Sequence, residues 1–467
     1  MLQKALYNKI IVLVLFSIII FGIFYYKYNI YNKDYNADIL IQNATILTLN
    51  DNSEIIYNGW IAIKGEEIIE IGEKRNNYKS KKIIDAKGKV VMPGLVNTHT
   101  HVAMAPFRGI DDKSKFVEWL VNINKFEEII TEEDVYWSSL FSEIEMIQSG
   151  TTTFNDMYFF EESVAKSVEK IGMRAVIDVP FDFENDEVKI EKSFLSKYGD
   201  SSIINFSIAP NPLVNFSKER LEEVKRTADE NDFIVHVHIA EDWKERDIFL
   251  DKYNKTPIEM LSDSGIFNNR IIFAHAVNFT EDEINYLSEY KNVGISFNPK
   301  SNYKLLGYTA PVKTMLENGL TIGIGTDGVG SSNSLDMFDQ INFIAFTSNK
   351  CQGEKEYCEN ENGFSPEKII RMATIDGAKS LGLENEIGSI EKGKKADIIL
   401  VDFGKIGLIP SYNIYATLAY NTDGTDVTDS IINGKIIMED RIMLSIDENS
   451  VVSKVNEIFE KIKNNIK

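Results

Sequence analysis

The chain has 467 residues, 43% of them hydrophobic, enough for one large domain, a smaller companion and a substantial buried core. Its formal net charge of −21 argues against a nucleic-acid partner, since no basic stripe is present to neutralise phosphates. The same acidity disfavours anionic substrates and keeps the surface soluble.

Ile10 to Tyr26 is an almost unbroken apolar stretch bracketed by Lys9 and Lys27, with Tyr28 and Tyr31 beyond it. At about 17 residues it sits at the short end of what crosses a bilayer as a helix. The tyrosines fit an interfacial belt, and the flank has no small-x-small site for removal as a signal peptide. The expectation is an uncleaved N-terminal transmembrane helix, with residues 1–36 as membrane anchor and linker of a single-pass membrane protein. Lys4 and Lys9 against Lys27 and Lys33 give a weak bias towards an inside N-terminus. That bias places the catalytic body outside the cytoplasm.

Ala37 to Leu49 and Trp60 to Ile71 alternate apolar and polar residues with turn residues between, as short antiparallel strands do. Strands of the same kind return at Ala396 to Phe403 and at Val427 to Met438, the latter with an Asn433-Gly434 turn. The two sets point to a composite β-sandwich built from both ends of the chain, residues 37–92 and 390–447. A catalytic domain over 93–389 is inserted between them, and a C-terminal helix follows over 448–467.

Within the insert, apolar runs begin near Val90, Thr151, Arg174, Ile203, Phe233, Ile271, Val293 and Thr321. Helical patterns such as Thr131 to Ser149 and Lys218 to Asn231 lie between them. Alternating β and α elements imply a parallel sheet, and eight units over about 240 residues suit a (β/α)8 TIM-type barrel, with its site at the C-terminal ends of the strands. Val90 to Val96 reads as one buried strand broken by Pro93-Gly94. No Gly-rich nucleotide turn follows it. Cys351 and Cys358, the only cysteines, lie close together in a polar segment, free to pair in an oxidising compartment or to remain two thiols.

The chemistry gathers at the strand ends. His99 and His101 end the first run, and in a strand alternate side chains share a face. The fifth run, FIVHVHIAE, supplies His238 and then Glu241; the sixth supplies His275 and the eighth Asp327. Three imidazole nitrogens and one carboxylate form a shell for a single divalent ion, zinc by default, with a position left open to water. Bound water then ionises near neutral pH. Asp327 is the acceptor of the water proton, His275 orients the attacking oxygen, and Glu241 carries a proton to the leaving or ring nitrogen. His236, on the same face as His238 but one layer deeper, reads as a buried hydrogen-bonding histidine.

The segments MPGLVNTHTHVAMAPFRGIDD, SGTTTFNDMY, HVHIAE, NPKSNYKL with APV, GIGTDGVGSSNSLDMF and the tail ATIDGAKSLGLENEIGSIEKGKKADIILVD resemble the amidohydrolase superfamily. Within it they look like the deaminases of 5'-methylthioadenosine and S-adenosylhomocysteine. The resemblance runs from Ala37 to about Met438. It implies a barrel carrying a composite sandwich, with His99, His101, His238 and Asp327 as metal ligands, Glu241 protonating the purine nitrogen and His275 assisting. It also implies a single metal, because RAVIDVPF and INFSIAPN contain no lysine or glutamate to bridge two.

By the same resemblance Glu127, or its neighbour Glu128, binds the ribose hydroxyls. Asn211 stands where the family has a histidine, Val179 where it has an arginine, and Phe297 where it has another histidine. Asn211 keeps a capacity to hydrogen-bond substrate. The implied activity is a metal-dependent hydrolytic deaminase releasing ammonia from an amino-substituted N-heterocycle of a small molecule, foremost an adenosine derivative. The alternatives are another amidohydrolase-type hydrolase acting on a cyclic amide or triazine-like ring, and a non-catalytic, membrane-tethered binding protein. Self-association as a homo-oligomer stays open.

Overall fold

A computed structural model describes residues 36–73, 78–184, 186–348 and 363–465. Eight parallel strands close into a barrel in chain order: Leu95–Thr100, Thr151–Asp156, Arg174–Asp178, Ile204–Ile208, Ile234–Ile239, Ile271–His275, Val293–Phe297 and Thr321–Ile324. Helices occupy the crossovers. Glu132–Gln148 begins at Thr131, whose side chain and Asp134 form a reciprocal capping box, and Lys218–Asn231 begins at Ser217. Parallel strands covered by helices are buried on both faces, which accounts for continuous apolar runs without alternation.

Strands from both ends of the chain join one nine-stranded sheet. The junction pairs Lys89–Pro93 antiparallel with Ile398–Asp402 and, in parallel, with Asn36–Leu47. Ile41, Ile61, Ile84, Val91, Leu400 and Ile431, from six strands, pack into one apolar cluster. The terminal strands therefore pair into one hydrogen-bonded sheet around a common core. The run Val90 to Val96 is likewise two strands: Lys89–Pro93 lies in this sheet and Leu95–Thr100 in the barrel. Gly94 is the hinge between them. A Cβ there would fall 2.0 Å from the Thr152 hydroxyl, so the crossing of the two layers leaves room only for glycine.

The expected transmembrane helix, single-pass membrane localisation and extracytoplasmic catalytic body are corrected. Among the described residues no helix is long and apolar enough to cross a membrane. Ile10 to Tyr26, which carried the expectation, lies outside the described residues. The longest helix, Glu448–Asn465, is amphipathic and turns Val451, Val455, Ile458 and Ile462 inward. Barrel and sheet bury their apolar faces against protein. Cys351 and Cys358 also lie outside the described residues.

Candidate active site

The rim at the C-terminal ends of the barrel strands holds His99, His101, His238, His275, Glu241 and Asp327 together. His99 is in the last turn of pleat of the first strand, and His101 lies just past it, at the start of the short helix Val102–Phe107. The rings of His99 and His101 are 4.9 Å apart, those of His99 and His238 4.8 Å. Nε2 of His238 approaches Nε2 of His99 to 3.2 Å. Asp327 Oδ1 faces Nε2 of His101 at 3.2 Å and of His99 at 3.5 Å. The ligand atoms of His99, His101 and His238, and those of His99, His275 and Asp327, each form a set within 4.8 Å of one another.

The ring nitrogens turned away from this centre have partners. His101 Nδ1 donates to the Met157 carbonyl at 2.5 Å, His238 Nδ1 meets Asn211 Oδ1 at 3.2 Å, and His99 Nδ1 meets His236 Nε2 at 2.9 Å. A histidine tied at one nitrogen presents the lone pair of the other, the usual arrangement around a ligated metal. Three such lone pairs and a carboxylate oxygen suit a divalent cation by number and by chemistry.

Asp327 has a left-handed backbone (φ +59°), as does His275 (φ +76°). Positive φ in a non-glycine residue stores strain and is concentrated at working sites. Asp327 Oδ2 accepts hydroxyls from Ser301 and Ser331, both at 2.6 Å, which leaves Oδ1 for the centre. Burial opposes its charge, but the facing His101 and His99 rings outweigh this and hold its pKa well below the usual carboxylate range. Burial pushes His238 well below the usual imidazole value and lowers His275 to about 3, so both rings are neutral.

Nδ1 of His275 receives the amide nitrogens of Asn302 at 2.9 Å and Asn298 at 3.3 Å. Its proton therefore resides on Nε2, and the ring acts as a donor. Glu241 Oε1 lies 3.5 Å from the same Nδ1. Burial, reinforced by the charge of Asp327, raises Glu241 well above the ordinary carboxylate value. Glu241 thus sits where burial favours its protonated form.

His101, His238, Glu241, His275 and Asp327 line a cavity of about 780 Å³, within the range for small-molecule sites. Glu127, the last residue of helix Phe116–Glu127, lines it and is raised by burial, while Glu128 points to solvent. Val179 and Asn211 line it as well; Phe297 is buried beneath the rim. Asn211 uses its oxygen on His238, a contact that sequence reasoning missed. Reasoning from sequence also missed Ser301, Ser331, Asn302 and the Met157 carbonyl. NPKSNYKL and GIGTDGVGSSNSLDMF contain the first three, but nothing in their spacing says which atoms they reach.

The model of the amidohydrolase family matches residues 90–437. A 5-methylthioadenosine/S-adenosylhomocysteine deaminase of Caldanaerobacter subterraneus subsp. tengcongensis is 38% identical over 432 residues, covering 90% of this chain and 97% of its own. A 5'-deoxyadenosine deaminase of Methanosarcina mazei is 38% identical over 435 residues, covering 91% and 98%. Among solved structures, an adenosine deaminase from Xanthomonas campestris with bound zinc superposes with a TM-score of 0.84 at 27% identity, covering 92% of this chain and 99% of its own. With its closed barrel, its histidine and aspartate rim and a family match over most of its length, the chain belongs to the amidohydrolase family.

Proposed function

We propose that this chain is a hydrolytic deaminase that releases ammonia from the amino-bearing ring of an adenosine derivative, 5'-methylthioadenosine, S-adenosylhomocysteine or 5'-deoxyadenosine being the candidates its relatives name. The observation that carries the proposal is the meeting of Glu241, whose carboxyl pKa is raised by burial, with Asp327 and a donor His275 over one small cavity. Hydrolysis of a carbon–nitrogen bond needs one group of each kind. The family and the curated deaminase relatives agree with an enzyme rather than a non-catalytic binding protein.

His99, His101, His238 and Asp327 would hold one divalent cation, zinc by analogy with the Xanthomonas structure. When bound, such an ion lowers the pKa of water to about 7 and so supplies a nucleophile at neutral pH. The protein's own groups do the rest. His275 Nε2–H orients the attacking oxygen, and Asp327 Oδ1 takes its proton, the charge being steadied by Ser301 and Ser331. Glu241 delivers its proton to the ring nitrogen beside the carbon under attack. The proton held by Asp327 then passes to the amino group, which departs as ammonia, and Glu241 regains a proton from the newly added hydroxyl as the ring carbonyl forms. Glu127 would hold the sugar hydroxyls and Asn211 would add a polar contact. Val179, Phe181 and Leu213 line the same cavity and favour an uncharged, apolar substituent on the sugar. The same proposal includes a catalytic unit over 93–389, flanked by the two parts of a β-sandwich over 37–92 and 390–447 and a terminal helix over 448–467.

Ammonia release by the full-length, zinc-supplemented protein, assayed across adenosine derivatives, free purines, cyclic amides and amino-triazines, tests this directly. The highest kcat/KM is expected on an adenosine derivative. Turnover of a cyclic amide or triazine in preference to every nucleoside would overturn the assignment.

A further inference from the structure

His236 is fully buried, two residues before His238 on the fifth barrel strand, Ile234–Ile239. The two rings share the strand's inner face, His236 one layer below the rim. Its Nε2 lies 2.9 Å from Nδ1 of His99. Two imidazole nitrogens at that distance share one proton, and its owner decides what His99 can do on the other side of its ring.

Asn155 identifies the owner. Its amide nitrogen donates to the Thr98 carbonyl at 3.0 Å, which sets the orientation of the amide, and the same nitrogen lies 3.3 Å from His236 Nε2. That Nε2 therefore faces an N–H of Asn155 as well as His99, and it accepts. The proton between the two rings belongs to His99 Nδ1, which leaves His99 Nε2 with a free lone pair aimed at the group formed by His101, His238 and Asp327.

The proton of His236 must then sit on Nδ1. That atom has no partner at hydrogen-bond distance among the described residues. It faces Asp178 Oδ1 at 3.9 Å. A small side-chain shift or one bridging water closes such a gap. Asp178, at the end of the third strand, accepts the Ser207 hydroxyl at 2.5 Å and borders the cavity. The carboxylate facing His236 Nδ1 is an acceptor, and the Asn155 amide nitrogen facing its Nε2 is a donor.

We infer that His236 is a positioning residue for the cation site: it accepts the Nδ1 proton of His99, so presenting His99 Nε2 as a ligand, while Asp178 holds His236 in the tautomer this requires. The inference rests on the proposed metal site and adds to it a line of contacts, Ser207 to Asp178 to His236 to His99, drawn from four barrel strands. Partners that fix a ligating histidine are worth roughly 10- to 100-fold in metal affinity. A histidine that merely filled the barrel interior would be replaced by an apolar side chain without that loss.

Two measurements on the full-length chain test it. Zinc affinity is read by competition with a chromogenic chelator for the parent, His236→Leu, His236→Met and His236→Gln. The two apolar variants are expected to bind zinc roughly 10- to 100-fold more weakly. His236→Gln, whose amide oxygen can still accept from His99, is expected to recover most of the affinity. Parent-like affinity in either apolar variant overturns the inference. Independently of any variant folding, ¹⁵N-histidine NMR of the zinc-loaded parent resolves only five histidines. His236 protonated at Nδ1 and accepting at Nε2 is the expected result; a proton on His236 Nε2 overturns it. A parent that binds no zinc at all would instead overturn the metal site itself.

Discussion

Replacing Arg174 by methionine separates what the barrel's two ends do. Arg174 opens the third strand, at the end opposite the histidines, with its side chain 1% exposed and that of Asp397 2% exposed. Nε donates to Asp397 Oδ2 at 2.7 Å and Nη2 to Oδ1 at 3.2 Å, while the same guanidinium satisfies the Ser202 carbonyl at 2.8 Å and Asn433 Oδ1 at 3.1 Å. Methionine fills much of the volume but leaves Asp397 a buried carboxylate supported by the Asn433 N–H at 2.7 Å. Breaking a buried pair from one side costs about 3–5 kcal/mol, against a typical total stability of about 5–15 kcal/mol. Urea unfolding followed by tryptophan fluorescence should therefore show Arg174→Met losing about 3–5 kcal/mol. Adding Asp397→Leu removes the orphaned charge and should restore most of that loss. Because catalysis belongs to the opposite rim, kcat for ammonia release by the folded fraction should stay within about twofold of the parent. A variant within about 1 kcal/mol of the parent, or a double variant no better than the single one, would refute the idea that this pair is the electrostatic joint between barrel and sheet.

Glu241→Gln retains shape but has no proton to give; kcat should fall by a factor of about 10² to 10⁴, with zinc content and melting temperature close to the parent's, and a variant at more than a tenth of parental kcat would remove Glu241 from the proton path. Dialysis against a chelator should abolish ammonia release and added zinc should restore it; activity persisting in metal-free protein by elemental analysis would exclude the metal site. Glu143 on helix Glu132–Gln148 is fully buried, which raises its pKa to about 8, against a bond from Ser167 that lowers it. A carboxyl that holds its proton more tightly folded than unfolded stabilises the fold at low pH. Its contribution wanes as pH rises from about 4.5 towards about 8, by up to ~1.4 kcal/mol per pH unit. Glu143→Gln should flatten the fall in urea midpoint between pH 6 and pH 8; identical slopes for parent and variant would count against it.

The membrane expectation shows where pattern reasoning overreached. An apolar run of spanning length states only that a segment would tolerate lipid, whereas the elements described here bury their apolar faces against one another, as Val451, Val455, Ile458 and Ile462 do on the terminal helix. Gly94 shows the opposite error, a break read as a blemish within one strand when it is the point at which the chain leaves the sheet for the barrel.

Much of the site was readable in one dimension because strand periodicity is exact. His99 and His101, or His236 and His238, must share a face whatever the rest of the chain does, and strand–helix alternation places the ends of all eight runs on one rim. Proton ownership was not readable. It depends on which atom the fold brings to hydrogen-bond distance: Asn155 against His236, His236 against His99, Asn302 against His275, Ser301 and Ser331 against Asp327. Those meetings join positions 4 to 137 apart in the chain, and a hydrogen bond needs its partners at the right distance and angle. Residue type and spacing name the groups able to do the chemistry; only the closed barrel assigns each its partner, its charge and its tautomer.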